Sequence, residues 1–429
     1  MKKVLLLTVL FLATAVTYAG GYRVSLQGNK ALAMGHTGVA VINSSELVFF
    51  NPAGLVYLEN KLSVSVGAHG VLADVSYQNS ATGEMAMTEA GLGTPFYAYV
   101  SYQANDWLAF GLGIYTPYGS GVTYEDDWAG SHLVNNIDLQ AIFVQPSVSV
   151  KITDKFSVGG GPIYAMGAVN FNKNLNRTLV DLDGNRSEVT LDQTGITNWG
   201  WTASAMLKAS ENLTVGANYR SEIILSAEDG EATFENIPNS PLTPFADTTF
   251  NAELPLPAEL TMGLSYKHKD FLFAFDYNMT YWSAYESLSV DFADELITDT
   301  ELLRNYKDAS TYRFGVQYQA SESFTLRGGY YFDESPVQSG YFAPETPRND
   351  SNGYTAGLTF KVGNTLEIDA SFLYLQFDQV DASYDYFVEG SGGPANLINQ
   401  YSSFGGTYKS SVFVPGLGIK YTIEGKRIK

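Results

Sequence analysis

Residues 260–267 read Leu-Thr-Met-Gly-Leu-Ser-Tyr-Lys, and residues 325–332 read Thr-Leu-Arg-Gly-Gly-Tyr-Tyr-Phe. In both stretches one set of alternate positions is mainly large and apolar, and the other set is rich in small, polar or charged side chains. A period of two sends the two sets to opposite faces of a β-strand. These stretches therefore predict strands with one apolar face and one face lined by Gly, Ser, Thr and charged groups.

The same pattern recurs along most of the chain, and each short polar turn is followed at once by another alternating segment. The turns come about every 50 residues, as expected if each period holds one hairpin and one long loop. The count is fourteen strands, joined by six tight turns and seven long loops. The predicted strands are 61–78, 92–103, 107–117, 138–152, 155–171, 196–209, 213–227, 251–268, 271–282, 308–320, 324–333, 352–362, 366–379 and 409–423.

The apolar face of these strands needs a nonaqueous partner, either a second sheet or lipid. Tyr, Trp and Phe concentrate at segment ends, as the aromatic girdles of a membrane barrel require. Short turns also alternate with long loops, and the strand number is even. The pattern predicts an all-β protein, a 14-stranded antiparallel transmembrane β-barrel with its long loops outside the cell.

Composition agrees with this interpretation. Among 429 residues, 14% are aromatic and only 16% are charged, which is unusual for a soluble enzyme. A formal net charge of −20 argues against nucleic acid as a partner. The absence of cysteine excludes thiol chemistry, and the four histidines have no metal-ligand spacing. We predict no cofactor, no metal and no enzymatic activity.

The first residues predict export. Lys2 and Lys3 precede an apolar run to about Val16, followed by Thr-Tyr-Ala at 17–19, so we interpret 1–19 as a cleaved signal peptide. The run is shorter than the ~18 apolar residues that a membrane helix needs. The predicted organisation is a signal peptide at 1–19, an N-terminal segment at 20–60, the barrel at 61–423 and a tail at 424–429.

Residues 20–60 do not alternate. A barrel of about fourteen strands has a lumen wider than its own side chains fill, so this segment is predicted to be a hatch that plugs it. Within the segment, Asn51, Pro52 and Ala53 have the signature of a turn, because Pro fixes φ and Asn can cap nearby backbone. A periplasmic tail without function is the alternative.

Seven stretches in chain order resemble the FadL/TodX family of outer-membrane transporters for long-chain fatty acids and other hydrophobic molecules. They cover essentially the whole chain after the signal peptide. The stretches are 20–38, Asn-Pro-Ala at 51–53, Tyr-Arg-Ser-Glu at 219–222, Leu-Pro-Leu-Pro-Ala-Glu at 254–259, Tyr-Trp-Ser at 281–283, Tyr-Lys-Asp-Ala at 306–309 and Phe-Asp-Glu-Ser-Pro-Val at 332–337. The chain departs from the family in its last residues, since a polar tail at 424–429 follows the final strand.

The resemblance implies a fourteen-stranded barrel with an N-terminal hatch in the outer membrane of a Gram-negative bacterium. It also implies that substrate is caught among the outer loops, passes beside the hatch and leaves sideways at a kink in the third strand. Here that strand contains Gly111, Gly113 and Pro117, residue types that interrupt ladders or permit bulges. The two glycines are equally consistent with small lumen residues that make room for the hatch.

A fatty acid needs an apolar site with one or two placed donors for its carboxylate. The candidates are the basic residues at alternate positions predicted to face the lumen, namely Arg220, Lys267, Arg313 and Arg327. Arg313 and Arg327 fall on adjacent strands, which allows a paired anion site. The alternative is that each of these side chains neutralises a lumen carboxylate.

Apolar residues in the third and fourth long loops predict an outer binding groove, although packing of the loops on themselves explains them nearly as well. They are Leu179, Leu182, Phe234, Ile237, Leu242 and Phe245. Carboxylates crowd the loop at 283–307, where they can share divalent cations with lipopolysaccharide or simply face solvent. Outer-membrane lipid is therefore an expected neighbour, and a monomer is the expected state.

The leading hypothesis is passive uptake of hydrophobic small molecules, fatty acids foremost and aromatic hydrocarbons among them. Two alternatives remain open from the sequence. One branch of the FadL/TodX family, which this chain resembles, serves type IX secretion as a protein-binding shuttle. A general porin for polar solutes would use the same barrel without a closed lumen.

Overall fold

The computed structural model describes residues 21–89, 91–125, 127–240, 245–388 and 401–424. The predicted signal peptide and nearly all of the predicted tail lie outside these residues. Across the described residues, fourteen strands close one antiparallel barrel, which confirms the predicted number. In chain order they are β1 (Leu62–His69), β4 (Phe96–Gln103), β5 (Leu108–Thr123), β6 (Asn136–Lys151), β7 (Phe156–Asn174), β8 (Glu188–Lys208), β9 (Leu213–Arg220), β12 (Glu259–His268), β13 (Phe271–Thr280), β16 (Ala309–Ser321), β17 (Phe324–Asp333), β18 (Ser351–Val362), β19 (Leu366–Phe377) and β21 (Tyr401–Ile423).

The ring closes because the last strand pairs on both edges. β21 pairs with β19 from Tyr421 to Ser411 and with β1 from Ile423 to Gly416. All six predicted tight turns join neighbouring barrel strands at the same end.

Seven further strands lie in the long connections on the other side, where the sequence pattern predicted only loops or continuations of barrel strands. They are β2 (Leu72–Asn79), β3 (Met85–Met87), β10 (Ile223–Glu235), β11 (Thr248–Leu256), β14 (Ser287–Phe292), β15 (Thr300–Leu303) and β20 (Val380–Val388). Together they extend the wall beyond the closed ring.

Three predicted strands are wrong as single elements. The segment 61–78 divides at Gly70 into β1 and β2, 213–227 divides into β9 and β10, and 251–268 divides at Pro257 into β11 and β12. The two halves differ in a partner; β1 and β2, for example, both pair with β21, but the other edge of β1 pairs with β4 and that of β2 with β3. Alternation continues through each division, so the period of two could not reveal it.

The outward face of the ring is apolar, as the lipid-facing side of a membrane barrel must be. Aromatic rings form bands near both rims. Tyr354 lies 6.5 Å from Tyr374, which lies 4.9 Å from Phe413, and near the tight turns Phe271 stacks on Tyr318 at 4.7 Å. Exposed apolar residues between the bands include Val100, Leu112, Val148, Val215, Leu264, Phe273, Phe314, Val316, Leu326, Leu358, Ile368 and Ile419.

The lumen holds residues 21–60, which we call the hatch. Two short helices, α1 (Asn29–Leu32) and α2 (Leu47–Phe50), and a 3₁₀ helix (Pro52–Tyr57) carry its buried apolar side chains against the wall. No helix within the described residues is long and apolar enough to cross a membrane.

Small residues on the lumen face let the hatch backbone approach the wall. A Cβ on Gly159 would come within 2.5 Å of the Ala53 nitrogen, and one on Gly216 within 2.1 Å of the Val39 carbonyl oxygen. A Cβ on Gly329 would lie 2.0 Å from the Gly35 nitrogen. The many glycines of the chain are thus partly explained by contact between two backbones, where any side chain would collide.

Gly329→Ala should displace the hatch, because the new methyl group would collide with its backbone. We expect a loss of about 1–3 kcal/mol in the free energy of unfolding, the usual cost of overpacking. The midpoint of urea unfolding in detergent micelles measures it. Gly328→Ala is the matched control, since its Cβ would have no neighbour nearer than 3.9 Å. Equal midpoints for the two variants would contradict a tightly docked hatch.

Candidate transport site

The third strand of the ring, β5, is kinked where it meets the start of the hatch. Its ladder with β4 ends at the pair Tyr97–Tyr115, and its register with β6 shifts between Tyr115 and Tyr118. Beyond that point hatch backbone takes the place of β4. The Val24 nitrogen donates to the Pro117 carbonyl at 2.8 Å, and the Gly119 nitrogen donates to the Tyr22 carbonyl at 2.9 Å.

Arg23 fixes this end of the hatch to the opposite wall. Its guanidinium donates to Glu259 at 3.2 Å and to Asp333 at 3.1 Å, and hydroxyl groups of Thr280 and Thr311 accept at 2.9 Å each. All these partners are buried. Because a buried charge is stable only when it is paired and hydrogen-bonded, this arrangement holds the hatch start in one position.

The Asn51-Pro52-Ala53 turn fixes the other end of the hatch. The Asn51 side chain donates to the Val39 carbonyl at 2.7 Å and accepts from the Ala53 nitrogen at 3.1 Å, as an N-cap does. Ser149 and Ser157 of the wall donate to the Ala53 carbonyl at 3.0 and 2.6 Å.

A third attachment is ionic. Lys30 of α1 forms an ion pair with Glu367 of β19, which is also 3.5 Å from Lys420 of β21. Nearby in the hatch, Glu46 accepts from the backbone nitrogen of Lys30 at 3.4 Å. Burial, with help from the Asp369 carboxylate, raises the pKa of Glu46 to about 7. The hatch is thus held at three places, two of them through ion pairs and one through a hydrogen-bonded turn.

Above the hatch, on the side of the long connections, lies an apolar cavity of about 120 Å³. Tyr22 at the hatch start lines it, with the hydroxyl group donating to the Pro255 carbonyl and the ring 5.0 Å from Trp282. Most of the remaining lining comes from the upper halves of β6, β7 and β8 and from β10, β11, β14 and β15. It includes Leu139, Val169, Phe171, Val189, Leu191, Ile196, Leu225, Ala227, Phe250, Val290 and Leu302.

A few polar groups, Arg304 among them, also line this cavity. Arg304 is buried and forms an ion pair with Glu345, while its Nη1 atom has no hydrogen-bond partner among the described residues. Burial opposes the charge, but the Glu345 carboxylate outweighs it and the pKa of Arg304 is raised well above its ordinary value. Lys173 and Thr346 also line the cavity. Glu253 and Glu345 line it as well, so the cavity wall holds groups of both charges.

The four predicted cations lie elsewhere. Arg220 is buried beneath the kink, 3.4 Å from Glu259 and stacked on the Phe49 ring at 4.3 Å. Arg327 donates to Gln317 at 2.9 Å and to Thr359 at 2.5 Å. Lys267 is exposed next to a tight turn.

Arg313 does not pair with Arg327. Arg313 lies opposite Tyr331 in the ladder and Arg327 opposite Gln317, so the two are four positions apart, about 14 Å along the strand. The predicted paired anion site is therefore wrong. Arg313 instead lines a small polar cavity with Arg23 and Glu259. Arg304 and Glu345 were not predicted, because both lie in connections without a periodic pattern.

Four of the six residues predicted for an outer-loop groove pack against one apolar cluster. Phe234 stacks on Phe245 at 5.4 Å, and both pack with Leu179 and Ile237 against the main apolar cluster that borders the cavity. Leu182 is 94% exposed and takes no part, and Leu242 lies outside the described residues.

The two glycines predicted at the exit face the hatch. A Cβ on Gly111 would meet Val48 and Leu55 of the hatch at 2.6 and 2.8 Å, and one on Gly113 would meet Val48 at 3.0 Å and the Tyr99 ring of the wall at 2.9 Å. Of the two interpretations left open by the sequence, the structure favours small lumen residues that make room for the hatch. Pro117, by contrast, lies in the register shift itself.

A closed barrel, a lumen filled by an N-terminal hatch and an apolar cavity above it define a plugged outer-membrane transporter. The sequence profile described as outer membrane protein transport protein (OMPP1/FadL/TodX) matches residues 10–423. The chain belongs to this family. Its members are transport proteins of the outer membrane of Gram-negative bacteria, which confirms the predicted location and the prediction that the chain is not an enzyme.

Individual relatives match this chain over nearly its whole length, and solved structures share its fold. The long-chain fatty acid transport protein of Salmonella typhi is 24% identical over 429 residues, covering 91% of this chain and 95% of the relative. The structure of a Pseudomonas aeruginosa FadL homologue superimposes with a TM-score of 0.79 at 17% identity over 94% of this chain and all of the other. The toluene transporter TodX of P. putida gives a TM-score of 0.70 at 17% identity over 96% and 100%. At this identity the two structures show the fold alone.

Proposed function

We propose that this transporter takes up long-chain fatty acids or similar apolar molecules with one anionic end. The observation that carries the proposal is the apolar cavity above the hatch with Arg304 in its lining. An engineered cavity of about 150 Å³ lined by Leu, Ile and Phe stays dry and holds benzene. The cavity here, at about 120 Å³, would hold a ring or part of an alkyl chain.

Arg304 favours an anionic end over a purely neutral ligand. Its Nη1 atom, which has no hydrogen-bond partner among the described residues, would bind a carboxylate strongly, since charge-assisted hydrogen bonds exceed neutral ones. A small aromatic hydrocarbon would use the apolar lining alone. The name of the Salmonella relative supports the first class and that of TodX the second.

The proposed path leads from this cavity past Tyr22 to the kink in β5. Tyr22 lines the cavity, and its backbone bonds to the kinked strand, so movement of the hatch start would open the way and expose the unpaired edge of β5 together. An apolar molecule released there would enter lipid, which it prefers to water.

Filling the cavity tests the binding step. Ala227→Trp places a ring into the cavity and should abolish the binding of both oleate and toluene, measured by native mass spectrometry of the purified protein. Val215→Trp, at a position 40% exposed on the lipid face, should bind both normally. Wild-type protein that binds neither, but retains an exported protein, would favour the secretion shuttle instead.

Straightening β5 tests the exit. Two residues, Thr116 and Pro117, stand opposite Ile142 alone, so deletion of Pro117 should restore a regular ladder and close the kink. We expect oleate still to bind in the cavity, while uptake of radiolabelled oleate by cells falls to the level without the protein. Pro117→Ala keeps the residue count and should transport normally. Unchanged uptake by the deletion variant would rule out release at this kink.

A further inference from the structure

One edge of β8 changes partner partway along the wall. It pairs with β9 from Thr202 to Lys208 and with β10 from Glu188 to Asp192. Between these ladders, residues 193–200 of β8 face residues 222–230, and we call these two edges the seam. All seam residues are described, and neither ladder continues between them. The ladder resumes below, where the Ser221 nitrogen donates to the Trp201 carbonyl at 2.9 Å.

Side chains close the seam. The Asn198 amide donates to the Ile224 carbonyl at 2.6 Å. Ile223 covers Gly200, on which a Cβ would come within 2.5 Å of the Ile223 Cγ1 atom. Side-chain contacts of this kind can part by rotamer changes, whereas a continuous ladder would have to break backbone pairs.

The apolar cavity lies directly behind the seam. Ile196 on one edge and Leu225 and Ala227 on the other line this cavity, and all three are buried. These side chains therefore form the partition between the cavity and the outer face of the wall.

The outer face of the seam and of the ladder just below it combines large apolar side chains with exposed carboxylates, among them Glu222, Glu228 and Asp229. Trp199 and Trp201 are 63% and 50% exposed, and Ile224 is 39% exposed. Tryptophans in such numbers at one place on a membrane barrel mark the interface with lipid.

We propose that the seam is a lateral entrance, through which a neutral lipophilic molecule dissolved in the outer leaflet reaches the apolar cavity. The route avoids the aqueous outer loops. Ile196, Ile223 and Leu225 line the passage, and the exposed Glu222 and Glu228 at its outer end would repel a carboxylate, so the route suits hydrocarbons. The inference rests on the proposed function, because it supplies the same cavity by a second way.

A disulfide can lock the seam, since the chain contains no cysteine of its own. Gly200→Cys with Ile223→Cys places two thiols within the range that disulfides span. Ala205→Cys with Ala217→Cys, register partners in the β8–β9 ladder, is the matched control. Each oxidised variant is reconstituted in phospholipid vesicles and compared with its own reduced form.

The probe is a trifluoromethyl-phenyl diazirine dissolved in the bilayer, and peptide mass spectrometry locates its photoproducts. With the seam locked, labelling of cavity residues such as Phe250 and Val290 should fall by roughly tenfold, because the strand edges can no longer part. Labelling of Val316 on the lipid face is the internal standard and should not change. Reduction should restore cavity labelling, and the control disulfide should leave it unaffected.

A second variant acts in the opposite direction. Asn198→Ala removes the side-chain hydrogen bond across the seam and should increase cavity labelling several-fold. Equal cavity labelling in the locked and reduced forms would overturn the lateral entrance, while normal oleate binding from water would leave the proposed function intact. Absence of both cavity labelling and oleate binding in the wild type would overturn the two proposals together.

Discussion

Deletion of residues 20–55 should turn a nearly silent barrel into a channel with steady conductance in a planar lipid bilayer. The hatch backbone fills the lumen so closely that Gly159, Gly216 and Gly329 have no room for a methyl group. A fourteen-stranded ring without it is wide enough to hold water. This expectation separates the plugged transporter from a general porin, which would conduct in its native state.

The control for this deletion must show that the ring still closes. Unboiled samples in detergent gels should run as a folded barrel, because all fourteen wall strands remain. A second control is Val316→Ala on the lipid face, which should stay as silent as the wild type. A folded deletion variant that conducts no better than the wild type would contradict a hatch that seals the lumen.

Arg304→Gln should lower the affinity for oleate by roughly 10- to 100-fold, which corresponds to the ~1.5–3 kcal/mol of a hydrogen bond to a charged group. Toluene binding should stay unchanged, because toluene uses the apolar lining. Tryptophan fluorescence titration of the purified protein in detergent measures both. The difference between the two ligands is the result that assigns Arg304 to a carboxylate.

Removal of Arg304 alone leaves Glu345 buried without its partner, which is itself destabilising. The double variant Arg304→Gln/Glu345→Gln removes this cost and should show the same selective loss of oleate. Glu345→Gln alone frees Arg304 and should strengthen oleate binding. Equal losses for oleate and toluene would mean that Arg304 supports the fold of the cavity and does not recognise a charge.

The sequence predicts the ring because lipid on one side and a packed hatch on the other impose a period of two on every wall strand. That period fixes which side chains face outward and, together with the turn residues, how many strands exist. It carries no information on hydrogen-bond partners. The divisions at Gly70 and Pro257, where a strand leaves one neighbour for another, therefore could not be predicted from the period. Only the Pro-Leu-Pro at 255–257 is a local sign of one of them.

The site was harder to predict for a related reason. Arginines at lumen-facing positions stand out in an alternating strand. Arg220 and Arg327, however, form ion pairs or hydrogen bonds with residues of the barrel itself. The cation in the cavity, Arg304, sits in a connection without any period, and its partner Glu345 is in a different connection. Only tertiary structure brings such residues together. The hatch turn at Asn51 could be predicted because its hydrogen bond joins residues only two positions apart.

The three attachments of the hatch also set an order of assembly. The hatch is the first part of the folded chain, but Lys420, which donates to the Asn43 carbonyl at 3.0 Å, and Glu367, which holds Lys30, belong to strands near the other end. Contacts so distant along the chain form slowly, since closing the intervening loop costs entropy. We expect residues 21–60 to remain unstructured during insertion and to become ordered only when the last strand has closed the ring, so that sealing of the lumen is the final event of folding.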